Sequence, residues 1–334
     1  KIKKIMGLDK IFVITIFTPV IKMGQNISKK PINTSEHNDL RYNNHSSMML
    51  LCLKHTQVSM RQFMASAHGH IINRCLILKL KICPQKYTNN KDFDYIIAPL
   101  LESVLEDQFQ NTATVGVFMP FVRNIADSGF CQAQLQYVYL PQLAKADYLS
   151  FAHNNFEKIK MSTLTTLKRD SSFFDCKMLR TFTALQLQNI DQWCFEYCES
   201  LQTVITPNAT ISNYAFSNCT KLKTVLVKNS DFICDCGDCP RCRNTFHKCL
   251  QKGVAFARTK QYIDLIKQQK NEIQYNSLQQ KSIESRFLTQ NHNLYFGDLL
   301  KSDLQQKQLV IFCRNINYII CNLKRQVLVI DELE

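Results

Sequence analysis

The apolar residues of this chain recur with a fixed period across its central part. Five phenylalanines, Phe130, Phe151, Phe173, Phe195 and Phe216, are separated by 21, 22, 22 and 21 residues. A fixed period of this length indicates a solenoid, because each repeat buries its apolar face only by stacking on its neighbours. We therefore predict stacked coils in which the five rings occupy equivalent positions.

An alternating segment follows each phenylalanine and predicts one strand in every coil. Its inward positions are apolar in nearly every repeat and are separated by polar or variable residues, as expected for an extended chain with one buried face. Consecutive strands are predicted to form a parallel ladder. From the first coil to the fifth, the inward residues are Leu135, Val138 and Leu140; Phe156, Ile159 and Met161; Leu179, Phe182 and Ala184; Leu201, Val204 and Thr206; Leu222, Val225 and Val227.

The second half of each repeat carries an inward row of its own. This row lies five or six residues before the next phenylalanine and consists of Ile125, Ala146, Leu167, Ile190 and Ile211. Prolines stand where the chain leaves the strand, and proline marks a strand end because it cannot donate to the ladder. The prolines concerned are Pro120, Pro141 and Pro207.

The clearest repeats are Ile190 to Val204 and Ile211 to Val225, which follow the pattern Leu-x-x-Val-x-Leu-Pro, then Ile, then Ala-Phe-x-x-Cys-x-x-Leu. In this pattern the chain resembles the BspA-type leucine-rich repeat, a family found in bacterial surface proteins and expanded in anaerobic protists. The resemblance covers roughly residues 112 to 256, with Ala133 and Asn154 in place of the cysteine. It implies an α/β leucine-rich-repeat solenoid, and non-enzymatic binding of protein or glycan in adhesion.

The regions before the repeats have a different composition. Residues 1–75 are predicted to be a poorly ordered region with a targeting segment near its start, because residues 31–75 are polar and rich in Asn, Ser and His. Residues 76–111 are predicted to form an N-terminal cap of one strand, Leu76–Cys83, and one helix. The helix is predicted from the helical spacing of Ile97, Leu100, Leu101, Val104 and Leu105.

After the solenoid at 112–256, residues 257–334 are predicted to be a small helical and β region. Leu265 and Ile266 indicate a helix in a glutamine-rich stretch. Apolar runs at 309–313, 316–321 and 327–330 indicate strands of a small sheet, with degenerate repeats as the alternative.

The fifteen cysteines fall into two groups with different chemistry. Cys176, Cys198 and Cys219 all lie three residues after the repeated phenylalanine and are predicted to form an inward column of free thiols. Buried free cysteine behaves as a small apolar residue. Disulfides along the column are the alternative.

The second group, Cys234, Cys236, Cys239 and Cys242, interrupts a sixth repeat. Ile233 is predicted to take the return-leg position, and Phe246 with Cys249 reproduces the aromatic-x-x-Cys element, so residues 234–242 are an insertion. Four sulfurs at such short spacings suit tetrahedral thiolate coordination of one structural zinc ion. Disulfides and reduced thiols remain the alternatives.

The outward strand positions form the surface that solenoids use for extended partners. Here they mix tyrosine, threonine and basic residues, which favours an acidic protein or an anionic glycan, with a solvated surface as the alternative. The net charge of +14 also suits nucleic acid, but the basic residues are spread along the chain, which disfavours that partner. The candidate binding residues are Tyr137, Tyr139, Lys158, Lys160, Arg180, Thr203 and Lys223.

The first thirty residues indicate a contact with membranes. The apolar run from Ile11 to Ile21 is too short to span a bilayer but has the length of a signal-peptide core. Alternatively, a start at Met23 exposes Gly24 for N-myristoylation, with Lys29 and Lys30 adding attraction to anionic lipid. Both interpretations favour a membrane-associated or surface protein over a plain cytoplasmic one.

The sequence contains neither the G-x-S-x-G nor the H-E-x-x-H motif, and we predict no enzyme activity. An intracellular zinc-containing scaffold associated with membrane or nucleic acid is the alternative to a surface binding module. The pattern does not indicate an oligomeric state.

Overall fold

The computed structural model describes residues 45–168 and 170–278. The predicted fold class is confirmed: about seven coils stack into a parallel-strand solenoid, with helices in the N- and C-terminal regions. The elements are α1 His45–His55, α2 Met60–Ala65, β1 His70–Ile72, β2 Cys75–Ile77, β3 Tyr95–Ile97, β4 Ser103–Val104, β5 Gly116–Phe118, β6 Asn124–Ile125, β7 Tyr137–Tyr139, β8 Lys145–Ala146, β9 Lys158–Lys160, β10 Thr166–Leu167, β11 Thr181–Thr183, β12 Asn189–Ile190, β13 Thr203–Ile211, β14 Thr224–Asn229, α3 Phe246–Ala257 and α4, residues 260–278.

The strands lie on two sides of the solenoid. On the front, β2, β3, β5 and β7 form one parallel run and β9, β11, β13 and β14 another, with β1 antiparallel to β2. On the back, β4, β6, β8 and β10 pair in parallel, and β12 pairs with the second half of β13. Each coil therefore contributes one front strand and one short return strand, as the two inward rows predict.

The registers confirm the predicted alternation. Val138 of β7 pairs with Val117 of β5, and Phe182 pairs with Ile159 and Val204 on either side. Val117, Ile159, Phe182 and Val204 belong to the hydrophobic core and the half-buried Val138 packs against it, while the residues that flank them point to the other face of the sheet.

A continuous column of stacked rings runs through the core. Each consecutive pair has centroids 5.2–6.0 Å apart and planes within 17° of parallel. The column begins two coils earlier than the sequence indicated, and Phe246 ends it with a tilted contact at 6.4 Å. Its stacked members are Tyr87, Phe109, Phe130, Phe151, Phe173, Phe195 and Phe216.

The cysteine column has a hydrogen-bonding role that explains the departure at Asn154. Cys176, Cys198 and Cys219 are buried free thiols, and each donates to the backbone carbonyl of the preceding coil's phenylalanine at 3.0–3.3 Å. Asn154 occupies the same position and donates to the carbonyl of Phe130 at 2.8 Å. In these four coils the position holds a small buried donor, cysteine or asparagine, whereas Ala133 fills it with a small apolar side chain.

The helix predicted over residues 97–105 is wrong, because this segment forms β3 and β4 instead. Ile96, Ala98, Leu101 and Val104 are core residues of a coil, whose inward positions imitate helical spacing over one strand and one turn. Pro99 ends β3 as Pro120 and Pro141 end later strands, each 21 residues further on. The strand predicted over Leu76–Cys83 is shorter and shifted, at Cys75–Ile77.

The N-terminal helices are α1 and α2, in a stretch predicted to be loop. Ser59 caps α2 in a capping box with Gln62, a local signal that favours a helix start. Both helices pack on the outward face of the first front strands, because Leu53 and Phe63 form a second apolar cluster with Ile77 and Phe118. That burial explains why a polar-looking segment is ordered.

Helix α3 closes the other end of the ladder. Gly253 brings α3 so close to β14 that a Cβ atom there would lie 1.9 Å from the carbonyl oxygen of Val225. The last front strand therefore has a helix against its edge, which protects an otherwise unpaired edge from association.

Two expectations for the last coils were wrong. Ile233 is 63% exposed, and its neighbour Phe232 is buried in the return-leg position against Phe216 and Phe246. At Pro207 the chain does not leave the strand; β13 continues through it with a shift of register between Thr206 and Thr210.

The apolar runs predicted as strands at 309–330 lie outside the described residues, as does Gly24.

Candidate metal centre and strand face

The outward face of the front strands, which we call the strand face, is covered at its N-terminal end. Cys75, Ile77, Ile97 and Phe118 point outward from β2, β3 and β5, yet all are buried beneath α1 and α2. This part of the strand face is an internal packing surface.

The two tyrosines proposed for partner binding lie at the border of this covered region. Tyr139 of β7 stacks on Phe118 at 5.2 Å and packs against the same apolar cluster. Burial, with Tyr275 and Glu272 adding to it, raises the pKa of Tyr139, so its phenol stays neutral. Tyr137, two residues earlier, is half-buried.

Lys160 of β9 is half-buried in an ion pair that the sequence did not indicate. Its Nζ lies 2.8 Å from Oε1 of Glu272 on helix α4, and the Oγ of Ser162 donates to Oε2 of the same carboxylate at 2.6 Å. The Lys160 and Glu272 side chains are 28% and 19% exposed. The ammonium group of Lys160 therefore already forms an ion pair with a carboxylate of the same chain.

The open part of the strand face carries a basic row, defined here as Lys158, Arg180 and Lys223. All three side chains are exposed, and none forms an ion pair with another residue in the described part of the chain. Lys158 aligns with Thr181, and Thr181 with the half-buried Thr203. Arg180 directly precedes Thr181, so the row crosses neighbouring strands spaced about 4.8 Å apart.

The four inserted cysteines converge on one point. The Sγ atoms of Cys234, Cys236, Cys239 and Cys242 all lie within 4.8 Å of one another. Cys239 is 3.6 Å from Cys234 and 3.5 Å from Cys242, and Cys236 is 3.7 Å from Cys242. These separations exceed the roughly 2.05 Å of a disulfide bond, and the cluster could hold a metal ion.

Backbone donors of the neighbouring turns surround Cys236. The N–H groups of Asn218 and Cys239 point at its Sγ at 3.3 and 3.4 Å. Burial raises the pKa of Cys236, but these donors and the Asp238 N–H outweigh it and lower that pKa to about 7. Burial raises the pKa of Cys239.

Charged residues in and directly after the insertion make further contacts, one within the loop and one with the preceding Phe232. Arg243 pairs with Asp238 at 2.9 Å, and the Arg241 guanidinium lies over the Phe232 ring, 5.3 Å from its centroid. The loop thus links the sixth coil to the start of α3. Cys249, one of the thirteen free cysteines in the described part of the chain, lies on α3 and donates to the Leu222 carbonyl at 3.3 Å, away from the cluster of four.

Sequence reasoning missed Glu272, Gln269 and Ser162, which join α4 to the strand face. The available signal was the amphipathic spacing of α4, which places Gln269 and Glu272 on the same side of the helix as Leu265 and Ile266. That spacing indicates a packed helix but does not say where it packs.

The front ladder, the return strands and the repeated core positions define a leucine-rich-repeat type of solenoid. The family model for the BspA type leucine rich repeat region matches residues 102–230 in six copies, so the solenoid is a BspA-type leucine-rich repeat region. No curated protein matches the chain in sequence. Such solenoids are generally non-enzymatic and generally mediate protein interactions, and BspA-type proteins are often surface-located or secreted.

None of the helices that the structure describes combines the length and the apolar character needed to cross a bilayer.

Proposed function

We propose that the chain is a non-enzymatic protein-binding module that binds an acidic partner through the open part of its strand face. The observation that carries this proposal is the basic row. Three exposed cations, Lys158, Arg180 and Lys223, lie at the start of the front strands β9, β11 and β14 and form no ion pair in the described part of the chain. The exposed Glu157 precedes Lys158 and lies in register with Arg180, so it is an acidic group beside the basic row in these coils. Unpaired charges of one sign attract a partner of the opposite sign and speed its association.

Three of the outward residues predicted to bind a partner already have contacts within the chain and are left out of the proposed surface. Tyr137 and Tyr139 border the helices α1 and α2, and Lys160 is paired with Glu272. Thr203 supplies a hydroxyl between the basic residues. The proposed contact surface is thus narrower than the set of outward residues in the sequence.

The test is binding to poly-glutamate, with heparin as the anionic-glycan arm. The triple variant Lys158→Ser, Arg180→Ser, Lys223→Ser should bind poly-glutamate about tenfold more weakly at low salt, because three exposed charge contacts at a few tenths to 1 kcal/mol each are lost. Affinity is measured by fluorescence anisotropy at two salt concentrations, and the variant should show the smaller salt dependence.

A matched control removes the same charge from the back of the solenoid. Arg123, Lys145 and Lys168 are exposed beside the return strands, and their triple serine variant should bind like the wild type. Equal losses in both variants would show that only net charge matters and would refute the site. A loss for heparin alone would assign the surface to a glycan.

We also propose that Cys234, Cys236, Cys239 and Cys242 hold one structural zinc ion. Zinc–thiolate bonds of about 2.3 Å place the sulfurs of a tetrahedral site about 3.8 Å apart. Three of the sulfur pairs lie 3.5–3.7 Å apart, and all four sulfurs lie within 4.8 Å of one another. The ion would tie the end of the sixth coil to α3, so that it stabilises the C-terminal end of the ladder.

Zinc content of the protein purified under reducing conditions tests this proposal. We expect one zinc per chain for the wild type and for Cys249→Ser, whose thiol lies outside the cluster, and none for Cys239→Ser. Zinc that persists in Cys239→Ser, or no zinc in the wild type, would contradict it.

We also propose that the protein associates with a membrane in the cell. Myristoylation of Gly24 predicts membrane association, and the mass of the mature N-terminal peptide from native cells tests it. A reduced zinc cluster favours the intracellular scaffold as the second candidate, because thiols persist in reducing compartments. A disulfide-linked cluster in native protein would favour the surface module.

A further inference from the structure

Helix α4 packs against the solenoid through one side, and the residues at the centre of this side are largely polar. Its inward positions recur every three or four residues, as expected for one side of a helix. Along the helix, the half-buried or buried residues are Tyr262, Leu265, Ile266, Gln268, Gln269, Glu272, Ile273, Tyr275 and Asn276.

The polar centre of this side makes directed contacts at the ends of two front strands. Glu272 accepts hydrogen bonds from Lys160 and Ser162, at the end of β9. Gln269 donates to the carbonyl of Ser162, and Asn276 donates to the carbonyl of Pro141, just past β7, at 3.3 Å. One carboxylate and two carboxamides therefore contact one lysine, one hydroxyl and two backbone carbonyls.

This chemistry differs from that of the core, where rings and aliphatic groups pack with buried thiols and a few buried polar side chains, and where no charged residue belongs to the cluster. An interface with hydrogen bonds at its centre and half-buried apolar residues around it resembles exchangeable contacts between domains. Its central ion pair involves Lys160, which lies two residues from Lys158 of the basic row.

We infer that α4 is a built-in competitor for the strand face, and that the acidic partner is a helix that displaces it. Such a helix would carry a carboxylate in the place of Glu272, with carboxamides three residues before and four residues after it. This inference rests on the proposed function and gives that partner its chemistry. Because α4 is tethered, the binding-competent state is a minor one, and the apparent affinity falls by that fraction.

The test uses the 334-residue chain and a fluorescent peptide of residues 260–278. Glu272→Gln in the chain removes the charge that holds α4 in place, so the peptide should bind this variant at least about tenfold more tightly than the wild type. Asp264→Asn is the matched control, because Asp264 is an exposed acid on the same helix, and its chain should bind like the wild type.

A charge exchange tests the contact itself. Lys160→Glu added to the Glu272→Gln chain should abolish binding of the native peptide, and a peptide carrying Glu272→Lys should restore it. In the chain alone, Lys160→Glu with Glu272→Lys should return the melting temperature toward that of the wild type, which separates a lost contact from a misfolded variant.

Equal peptide affinity in the wild-type, Glu272→Gln and Asp264→Asn chains would overturn the inference, as would binding that ignores Lys160. The poly-glutamate assay on the same chains separates the two proposals. If poly-glutamate requires the basic row but binds the wild-type and Glu272→Gln chains equally, the competitor is refuted and the binding face stands. If poly-glutamate ignores the basic row, the proposed function fails instead.

Discussion

Replacing Gly253 by alanine tests how α3 closes the ladder, because two effects of opposite sign compete there. In an exposed helix interior, glycine to alanine stabilises by about 1 kcal/mol. Here the added Cβ would lie 1.9 Å from the Val225 carbonyl oxygen and 2.9 Å from the Leu226 nitrogen. Both atoms are backbone atoms of β14, so no side-chain rotation relieves the overlap.

The size of the overlap decides the sign. To bring the Cβ to 3.0 Å from the oxygen, α3 must move away from β14 by about 1.1 Å, the difference from 1.9 Å, and it then loses close packing along its contact. Forced overpacking costs about 1–3 kcal/mol and more where the backbone must shift. We expect a net loss of about 2 kcal/mol or more in the free energy of unfolding.

The assay is urea unfolding followed by circular dichroism, with Val254→Ala as the control. Val254 is exposed on the same helix, and its replacement should change stability by less than about 0.5 kcal/mol. If Gly253→Ala is as stable as the wild type or more stable, α3 does not sit against β14 and the described closure of the ladder is refuted.

Three further outcomes are expected. Asn154→Ala should cost about 2–3 kcal/mol, because it leaves Leu135 N–H and the Phe130 carbonyl without their buried partner, whereas exposed Asn155→Ala should be neutral in the same urea assay. Burial, opposed by the Asn189 hydrogen bond and reinforced by Asp170, raises the pKa of Asp191 to about 6. That value lies above the unfolded value of about 3.9, so stability should fall by about 1 kcal/mol from pH 4 to pH 7 after allowance for partial exposure, and Asp191→Asn should abolish that share. Chelation of zinc should increase proteolysis within residues 234–245 and leave the first coils protected; uniform cleavage would contradict a local role.

The strand ladder could be predicted because every coil places the same kind of residue at the same inward position. Val138, Ile159 and Phe182 repeat with the ring column, and burial against both neighbours requires this regularity. The cysteine column followed from the same register. Its hydrogen-bonding role could not be predicted, since the acceptors are backbone atoms of the preceding coil.

The first coils were missed for a specific reason. Phe109 and Tyr87 continue the ring column, but Thr112 and Asn90 stand where the later repeats have cysteine. The missing cysteine alone does not hide these coils, since Ala133 and Asn154 also replace it in repeats that the period identifies; the apolar residues from 97 to 105 have helical spacing, and that local pattern predicted a helix. The spacing of the strand-end prolines contained the correct signal.

The position of α4 on the solenoid could not be predicted from the sequence, because it depends on contacts between residues about 110 positions apart. Glu272 and Lys160 have no local relation, and periodicity indicates only that α4 has a packed side. The prediction for Ile233 was wrong for another reason. Phe232 lies seven residues after Val225, as Ile211 lies seven after Val204, so the buried return-leg position falls one residue before Ile233. A shift of one position reverses the side on which a residue lies.

The central claim is that the open strand face binds an acidic partner, and lysine acetylation footprinting tests it most directly. Reactivities are measured in the wild-type chain with and without saturating poly-glutamate. Lys158 and Lys223 should become several-fold less reactive, while Lys145 and Lys168 beside the return strands keep their reactivity. Equal protection on both sides, or protection of the return side alone, would contradict the claim.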